Sequence, residues 1–331
     1  MKRLIAFAAI LIVLCSALYA DYGVAKFTNP ICKGADPCVV KNPEGPGYWY
    51  IYTDTGNIYS EYAVSPADFK YDCKNIIFSV KPGTDYELDI WAPELHRIDG
   101  KWYIYFCARP KDDYEHRLFV ISGDDPIKPF GDVKHIDVPV RVLDQTVFEW
   151  KGKLYTVYSE GRSDGSEESH QDLHIAEMAS PWEVKEKRVV LSAPTLPWER
   201  KGWNVNEGPV ALKHNGKLFV VYSAAGAAFD YYCLGVLSFK GGDILDPKNW
   251  EKHPKPILTG RGDILATGHC TFTQDADGND WCVFHCNPPK DPSYTKLWVP
   301  RYMCLQKVVW VNDFPTFSPV GKQPKYFKYE K

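Results

Sequence analysis

The chain reads as an all-β protein built as a five-bladed β-propeller. Three observations predict that class. A glycine followed by an aromatic and β-branched run occurs five times, at Gly47, Gly100, Gly152, Gly216 and Gly278, with successive glycines 53, 52, 64 and 62 residues apart. A shorter apolar segment precedes each glycine, so every unit reads strand, turn, strand. Helical periodicity is nearly absent. Small antiparallel sheets repeated at this period are expected to pack radially, each protecting the edges of its neighbours.

The N-terminus stands apart from the repeat. Met1-Lys2-Arg3 is a basic start, and residues 4–14 form an apolar run of signal-peptide length, too short to span a bilayer. Small residues follow, with cleavage expected after Ala20 or Ala17. Residues 1–20 are therefore expected to be a removed signal peptide and 21–331 a single catalytic domain, secreted and monomeric. A lipoprotein signal at Cys15 fits poorly, because bulky Leu14 precedes it. The net charge is −3 and no basic run occurs, so nucleic acid is not an expected partner. No other segment is long and apolar enough for a membrane helix.

Within the repeat the strands follow from composition. The runs after the glycines, such as Tyr48-Trp49-Tyr50-Ile51-Tyr52 and Lys217-Leu218-Phe219-Val220-Val221-Tyr222, are rich in strand formers. Asp99-Gly100, Asn215-Gly216 and Asp277-Gly278 are hairpin-turn dipeptides. Further strand-like segments follow at Leu118, Leu173 and Cys233. Nine cysteines remain after removal of Cys15, and export permits disulfide bonds among them. They read as staples or core residues. Cys282 and Cys286 lack zinc-site spacing.

The segments preceding the glycines begin at Asp36, Glu94, Asp144, Glu207 and His269. In a propeller the first strand of each blade lines the central channel, so these five polar residues are expected to converge at one mouth. Several carboxylates around a funnel suit glycoside hydrolysis: one protonated acid for the leaving oxygen, one ionised carboxylate to activate water or attack the anomeric carbon. A third carboxylate can hold the acid's proton by like-charge repulsion. The aromatic surplus, 15% of residues with 11 Trp and 21 Tyr, offers stacking faces for sugars. The chain has no Gly-x-Ser-x-Gly elbow, phosphate-cradling glycine loop or His-Glu-x-x-His motif. His116, His135 and His253 read as surface residues, and the acidic run 164–168 as a solvated loop.

Five short motifs, in order and at blade spacing, resemble those of glycoside hydrolase family 43. They are Gly34-Ala35-Asp36-Pro37, Trp91-Ala92-Pro93-Glu94, Leu143-Asp144-Gln145-Thr146-Val147-Phe148, Asn206-Glu207-Gly208-Pro209 and Gly268-His269. The resemblance implies a five-bladed propeller hydrolysing arabinofuranosides, arabinan or xylosides with inversion. It implies Asp36 as general base, Glu207 as general acid and Asp144 as the carboxylate that modulates the acid. Residues 171–182, 194–199, 222–225 and 232–235 resemble exo-acting α-L-arabinofuranosidases, so arabinose-containing oligo- and polysaccharides are the expected partners. A β-xylosidase, an endo-arabinanase and a non-catalytic carbohydrate-binding propeller are the alternatives. Trp91 is read as a sugar platform or a core residue, and Arg301 as a funnel arginine or a surface ion-pair partner. Glu94 is expected to play a structural part. No cofactor is required for the chemistry. A Ca2+ or Na+ ion is expected beside His269 if that ring is a metal ligand rather than a channel histidine bonded to its neighbours.

Overall fold

The computed structural model describes residues 21–139, 141–162, 170–287 and 300–331. The expected signal peptide, with Cys15 and both cleavage points, and the acidic run 164–168 lie outside them. The described chain is all-β apart from three short 3-10 turns. No helix among the described residues is long and apolar enough to cross a membrane.

The strands fall into antiparallel meanders in chain order. The first unit comprises Cys38–Lys41, Tyr48–Thr53, Asn57–Ala63 and Ile76–Ser79. The second comprises Leu88–Ile98, Lys101–Arg109, Arg117–Gly123 and Gly131–His135. The third comprises Val142–Trp150, Lys153–Arg162, His170–Ser180 and Glu183–Ser192. In the fourth, Asn204–His214, Lys217–Ala224 and Cys233–Phe239 are followed by the short edge strands Trp250–Lys252 and Leu258–Thr259. In the fifth, Leu265–Gln274, Asp280–Asn287 and Tyr302–Val311 are joined by Phe314–Phe317 and by Cys32–Lys33 from the start of the chain. A separate ribbon pairs Tyr22–Phe27 with Lys325–Glu330. The third and fourth units share one sheet through a short parallel pairing of His170 and Gln171 with Asn204 and Val205.

Turn chemistry explains the hairpins. Asp99-Gly100 and Asn215-Gly216 are two-residue loops with both residues in the left-handed region, as strand twist favours. Asp277-Gly278 differs from its expected two-residue turn. Gln274 pairs with Asp280, leaving a five-residue loop in which Asp275 Oδ1 accepts from the backbone nitrogens of Asp277 and Asn279. A local carboxylate has lengthened the turn.

Five apolar cores alternate with the units. Cys38, Trp49 and Ile51 of the first pack on Leu95, Trp102 and Ile104 of the second. Tyr103 and Val120 of the second meet Val147 and Tyr158 of the third. Val157 and Ile175 of the third meet Leu218 and Val220 of the fourth. Val210 and Phe219 of the fourth meet Cys282 and Phe284 of the fifth. Trp281 and Val283 of the fifth meet Tyr48 and Tyr50 of the first. Both faces of each sheet are thus covered, which is why Tyr48 to Tyr52 is an unbroken buried run rather than an alternating one. The first strands also touch in cyclic order: Cys38–Lys41 meets Leu88–Ile98, then Val142–Trp150, Asn204–His214, Leu265–Gln274 and Cys38–Lys41 again.

Seven of the nine cysteines are buried core residues rather than staples. All nine are free thiols. Cys270, Cys282, Cys286 and Cys304 share the core between the fourth and fifth units, where Cys286 and Cys304 sulfurs lie 3.1 Å apart without a bond. Burial pushes the Cys282 and Cys304 thiols well above their ordinary range.

Candidate active site

A cleft of about 940 Å³ opens at one end of the inner strands. Asp36, Trp91, Asp144, Glu207, His269 and Arg301 all line it. Each of the five inner segments carries a left-handed residue near its start: Asp36, Ala92, Asp144, Gly208 and His269, with φ between 45° and 56°. The last four stand at breaks in strand register. A non-glycine residue held there costs roughly 1–3 kcal/mol, and such strain is concentrated where side chains must be aimed against the regular pleat.

This alignment corrects one expectation. Asp36, Asp144 and His269 occupy the same repeat position, but Glu207 stands one residue before it and Glu94 two residues after. Two residues along a strand carry a side chain roughly 7 Å further down. Glu94 accordingly lines a separate cavity of about 420 Å³, with Arg97, Thr146 and Val210, and its carboxylate meets His96 Nε2 at 2.9 Å. Four of the five polar heads converge on the cleft; Glu94 does not.

The three cleft carboxyls have different surroundings. Arg301 Nη1 donates to Asp36 Oδ1 at 2.9 Å, so this ion pair lies within the cleft. His285 Nδ1 lies 3.1 Å and His269 Nδ1 3.3 Å from the same oxygen. Burial pushes the Asp36 carboxyl up, but Arg301, His269 and His285 outweigh it and hold it well below the usual carboxylate range. Glu207 is pushed up to about 7, by burial first and then by the Asp36 charge, against the hydrogen bond it accepts from the Tyr232 hydroxyl at 2.9 Å. Asp144 is raised well above its ordinary value by burial, then by Glu207 and Asp36. It accepts the Gly208 backbone N–H at 3.0 Å, a bond that favours its ionised form. Both carboxyls are thus shifted toward their protonated forms, and as interacting neighbours they titrate together.

Other side chains complete the cleft. Trp91 is 38% exposed and stacks on His116, with ring centroids 4.1 Å apart. His116, expected at the surface, is buried beneath that indole, and its burial pushes its pKa down to about 4, leaving a neutral ring. His135 is exposed as expected. Tyr232 and His285 were not singled out from the sequence. Tyr232 lay in a stretch noted only for resemblance, and His285 closes the run after Gly278, but their partners are distant in the chain.

Among the described residues no group of three or more His, Cys, Asp or Glu side chains could hold a metal ion. His269 Nδ1 faces Asp36 and, at 3.8 Å, Asp144 instead.

One carboxyl with a raised pKa and one held well below the usual range on the same cleft are the kind of pair that glycoside hydrolysis uses. Comparison with known proteins agrees. The family model "Glycosyl hydrolases family 43" matches residues 27–315. The chain is 34% identical over 283 residues to the "Extracellular exo-alpha-(1->5)-L-arabinofuranosidase" of Streptomyces chartreusis, covering 81% of this chain and 84% of that one. It is 32% identical to "Alpha-L-arabinofuranosidase B" of Pyricularia oryzae over 90% of this chain and 65% of that one. The solved structure of an α-L-arabinofuranosidase from Lactobacillus brevis superposes with a TM-score of 0.81 at 31% identity, covering 90% of this chain and 98% of that one. The chain belongs to glycosyl hydrolase family 43.

Proposed function

We propose that the protein is an exported α-L-arabinofuranosidase that releases terminal α-L-arabinofuranosyl residues from arabinan- and arabinoxylan-type saccharides by single displacement with inversion. Residues 21–331 act as one monomeric catalytic domain. Its five units are the blades of a closed propeller, a reading supported by the cyclic contacts of the first strands and the five cores between units. Export and substrate class draw support from the extracellular arabinofuranosidases to which the chain is similar.

The observation that carries the mechanism is the opposed environment of two carboxyls on one cleft. Asp36, held ionised by Arg301 and two histidines, is the general base. Glu207, pushed up to about 7, is the general acid. Asp36 takes a proton from water, and the water oxygen bonds to the anomeric carbon as the glycosidic C–O bond breaks. Glu207 gives its proton to the departing oxygen, leaving Asp36 protonated and Glu207 ionised until solvent restores both. Asp144, sharing the proton of the acid pair, is the modulating carboxyl. Trp91, braced by the neutral His116 ring, is the sugar platform. No step is routed through a cation. The chemistry needs none, and His269 serves the carboxylates.

A substrate panel tests this reading. An aryl α-L-arabinofuranoside is expected to be turned over, with arabinose released singly from linear arabinan. Preferential hydrolysis of an aryl β-xyloside, or internal cutting of dyed arabinan, would replace it with the xylosidase or the endo-arabinanase. Binding of arabino-oligosaccharides without turnover would leave a non-catalytic carbohydrate-binding propeller.

A further inference from the structure

The acid and the base stand on different units, yet one pair of rings joins them. Tyr232 and His285 stack with centroids 5.5 Å apart and planes 10° apart. Both are buried, at 1% and 0% exposure. At one end of the stack the Tyr232 hydroxyl donates to Glu207 Oε1 at 2.9 Å. At the other, His285 Nδ1 lies 3.1 Å from Asp36 Oδ1 and 3.3 Å from the Asp36 backbone nitrogen. Gly268 makes the room for this pair. It stands opposite His285 in the strand register, and a Cβ there would sit 2.2 Å from the Tyr232 ring. The glycine before the channel histidine is therefore required by the ring packed against it.

We propose that the Tyr232–His285 stack is a rigid spacer that sets the general acid against the general base, with Tyr232 the positioning residue that aims Glu207. The proposal rests on the roles assigned to Glu207 and Asp36 above. Its physical content lies in how the tyrosine bond changes during reaction. A carboxylate is a stronger acceptor than a carboxylic acid, so the bond tightens as Glu207 releases its proton. Tyr232 thus favours the state reached late in proton transfer while its buried ring, wedged between Gly268 and His285, fixes the direction of the transfer. The other groups facing this pair are Asp36 from the first unit, Asp144 from the third, Ser223 from the fourth, and His269 and Arg301 from the fifth. Of these, Asp36 and Asp144 are carboxyls and Arg301 is the permanent cation. Losing the tyrosine donor leaves Glu207 with a higher pKa.

Tyr232→Phe keeps the ring and removes the donor. The basic limb of kcat/KM against pH is expected to move upward by about one unit, the scale of one hydrogen bond to a charged group. Turnover of arabino-oligosaccharides, whose leaving group needs a proton, should fall by at least about tenfold. Turnover of an aryl arabinofuranoside with a good leaving group should fall much less. Gly268→Ala, which displaces the ring without deleting the hydroxyl, should reproduce the same dependence on leaving group. A carbon-13 titration of the Glu207 carboxyl, assigned with Glu207→Gln, should show the upward shift in Tyr232→Phe whether or not a substrate is turned over. A wild-type chain inactive on every arabinofuranoside would sink the functional reading, while that titration would still decide this one. An unmoved Glu207 titration, or an equal loss across leaving groups with only a lower melting temperature, would make Tyr232 a packing residue and overturn the proposal.

Discussion

Glu199 and Glu207 are two glutamates eight residues apart, and the fold treats them in opposite ways. Glu199 has no exposure, and donors surround its carboxylate. Lys252 Nζ reaches both oxygens at 2.9 and 3.1 Å, the Tyr222 hydroxyl donates at 2.7 Å, Asn206 Nδ2 at 3.1 Å and the Leu196 backbone N–H at 2.8 Å. Glu207 opens on the cleft, where among the described residues the Tyr232 hydroxyl donates to it and the charged groups of Asp36, Asp144 and Arg301 are its neighbours. Glu199 is fully buried and Glu207 only partly so, and their partners differ more sharply than their exposure. Donor supply separates them: Glu199 is in contact with a lysine and several donors, whereas at Glu207 one tyrosine hydroxyl and the Arg301 charge are outweighed by desolvation and the Asp36 charge, which raise its pKa. The two are linked through Asn206, which binds Glu199 and immediately precedes Glu207, so the satisfied network anchors the strand that presents the unsatisfied acid.

The largest effect that sharpens this contrast is chemical. Glu207→Gln is expected to lower kcat on arabino-oligosaccharides by about 10²–10⁴-fold, the usual share of one acid–base group. The same variant should be more thermostable at pH 8 than wild type. The Glu207 pKa lies above its unfolded value, so its favourable contribution is complete below about 4.5 and lost as pH rises to about 7. The glutamine has no charge to bury, and the gap in stability should open across that window by about 3 kcal/mol. Unchanged activity, or no pH-dependent gain in melting temperature, would erase the distinction between the two glutamates.

Lys252→Met should do the reverse. It strips the cation from Glu199 and is expected to destabilise the fold by about 3–5 kcal/mol, read by denaturant melting, because a buried charge is left uncompensated. Residual folded enzyme should keep the wild-type basic limb. The smallest effect belongs to Asp144→Asn. Glu207 raises the Asp144 pKa, and the interaction is reciprocal, so removing Asp144 should move the basic limb of kcat/KM to lower pH. An upward move would assign the retained proton differently within the pair.

The same contrast marks what the sequence could reveal. Strand existence followed from the glycine–aromatic runs, and Asp36, Asp144 and Glu207 stood out because repeat position is a one-dimensional property. What it missed depends on distance in space. Glu94 stood at a strand head like the others, but a two-residue offset from the left-handed Ala92 sends its side chain to another cavity. His285 and Tyr232 carry no motif of their own; their meaning lies in contacts across 249 and 25 positions of sequence. His116 read as a solvated histidine until the indole of Trp91 covered it. The Glu199–Lys252 network was equally invisible, because its members are separated by 53 residues. Asp275 lengthened a turn that its dipeptide alone would have made tight.

The proposed roles require Asp36 and Glu207 to flank one bond as separate base and acid, with water between them and carboxyls roughly 6.5–9.5 Å apart. The most direct test follows the first product by proton NMR before mutarotation, with an aryl α-L-arabinofuranoside as substrate. The expected result is β-arabinofuranose appearing first, with the α anomer growing in afterwards. Initial release of the α anomer would require a covalent intermediate on one carboxyl and would contradict the account.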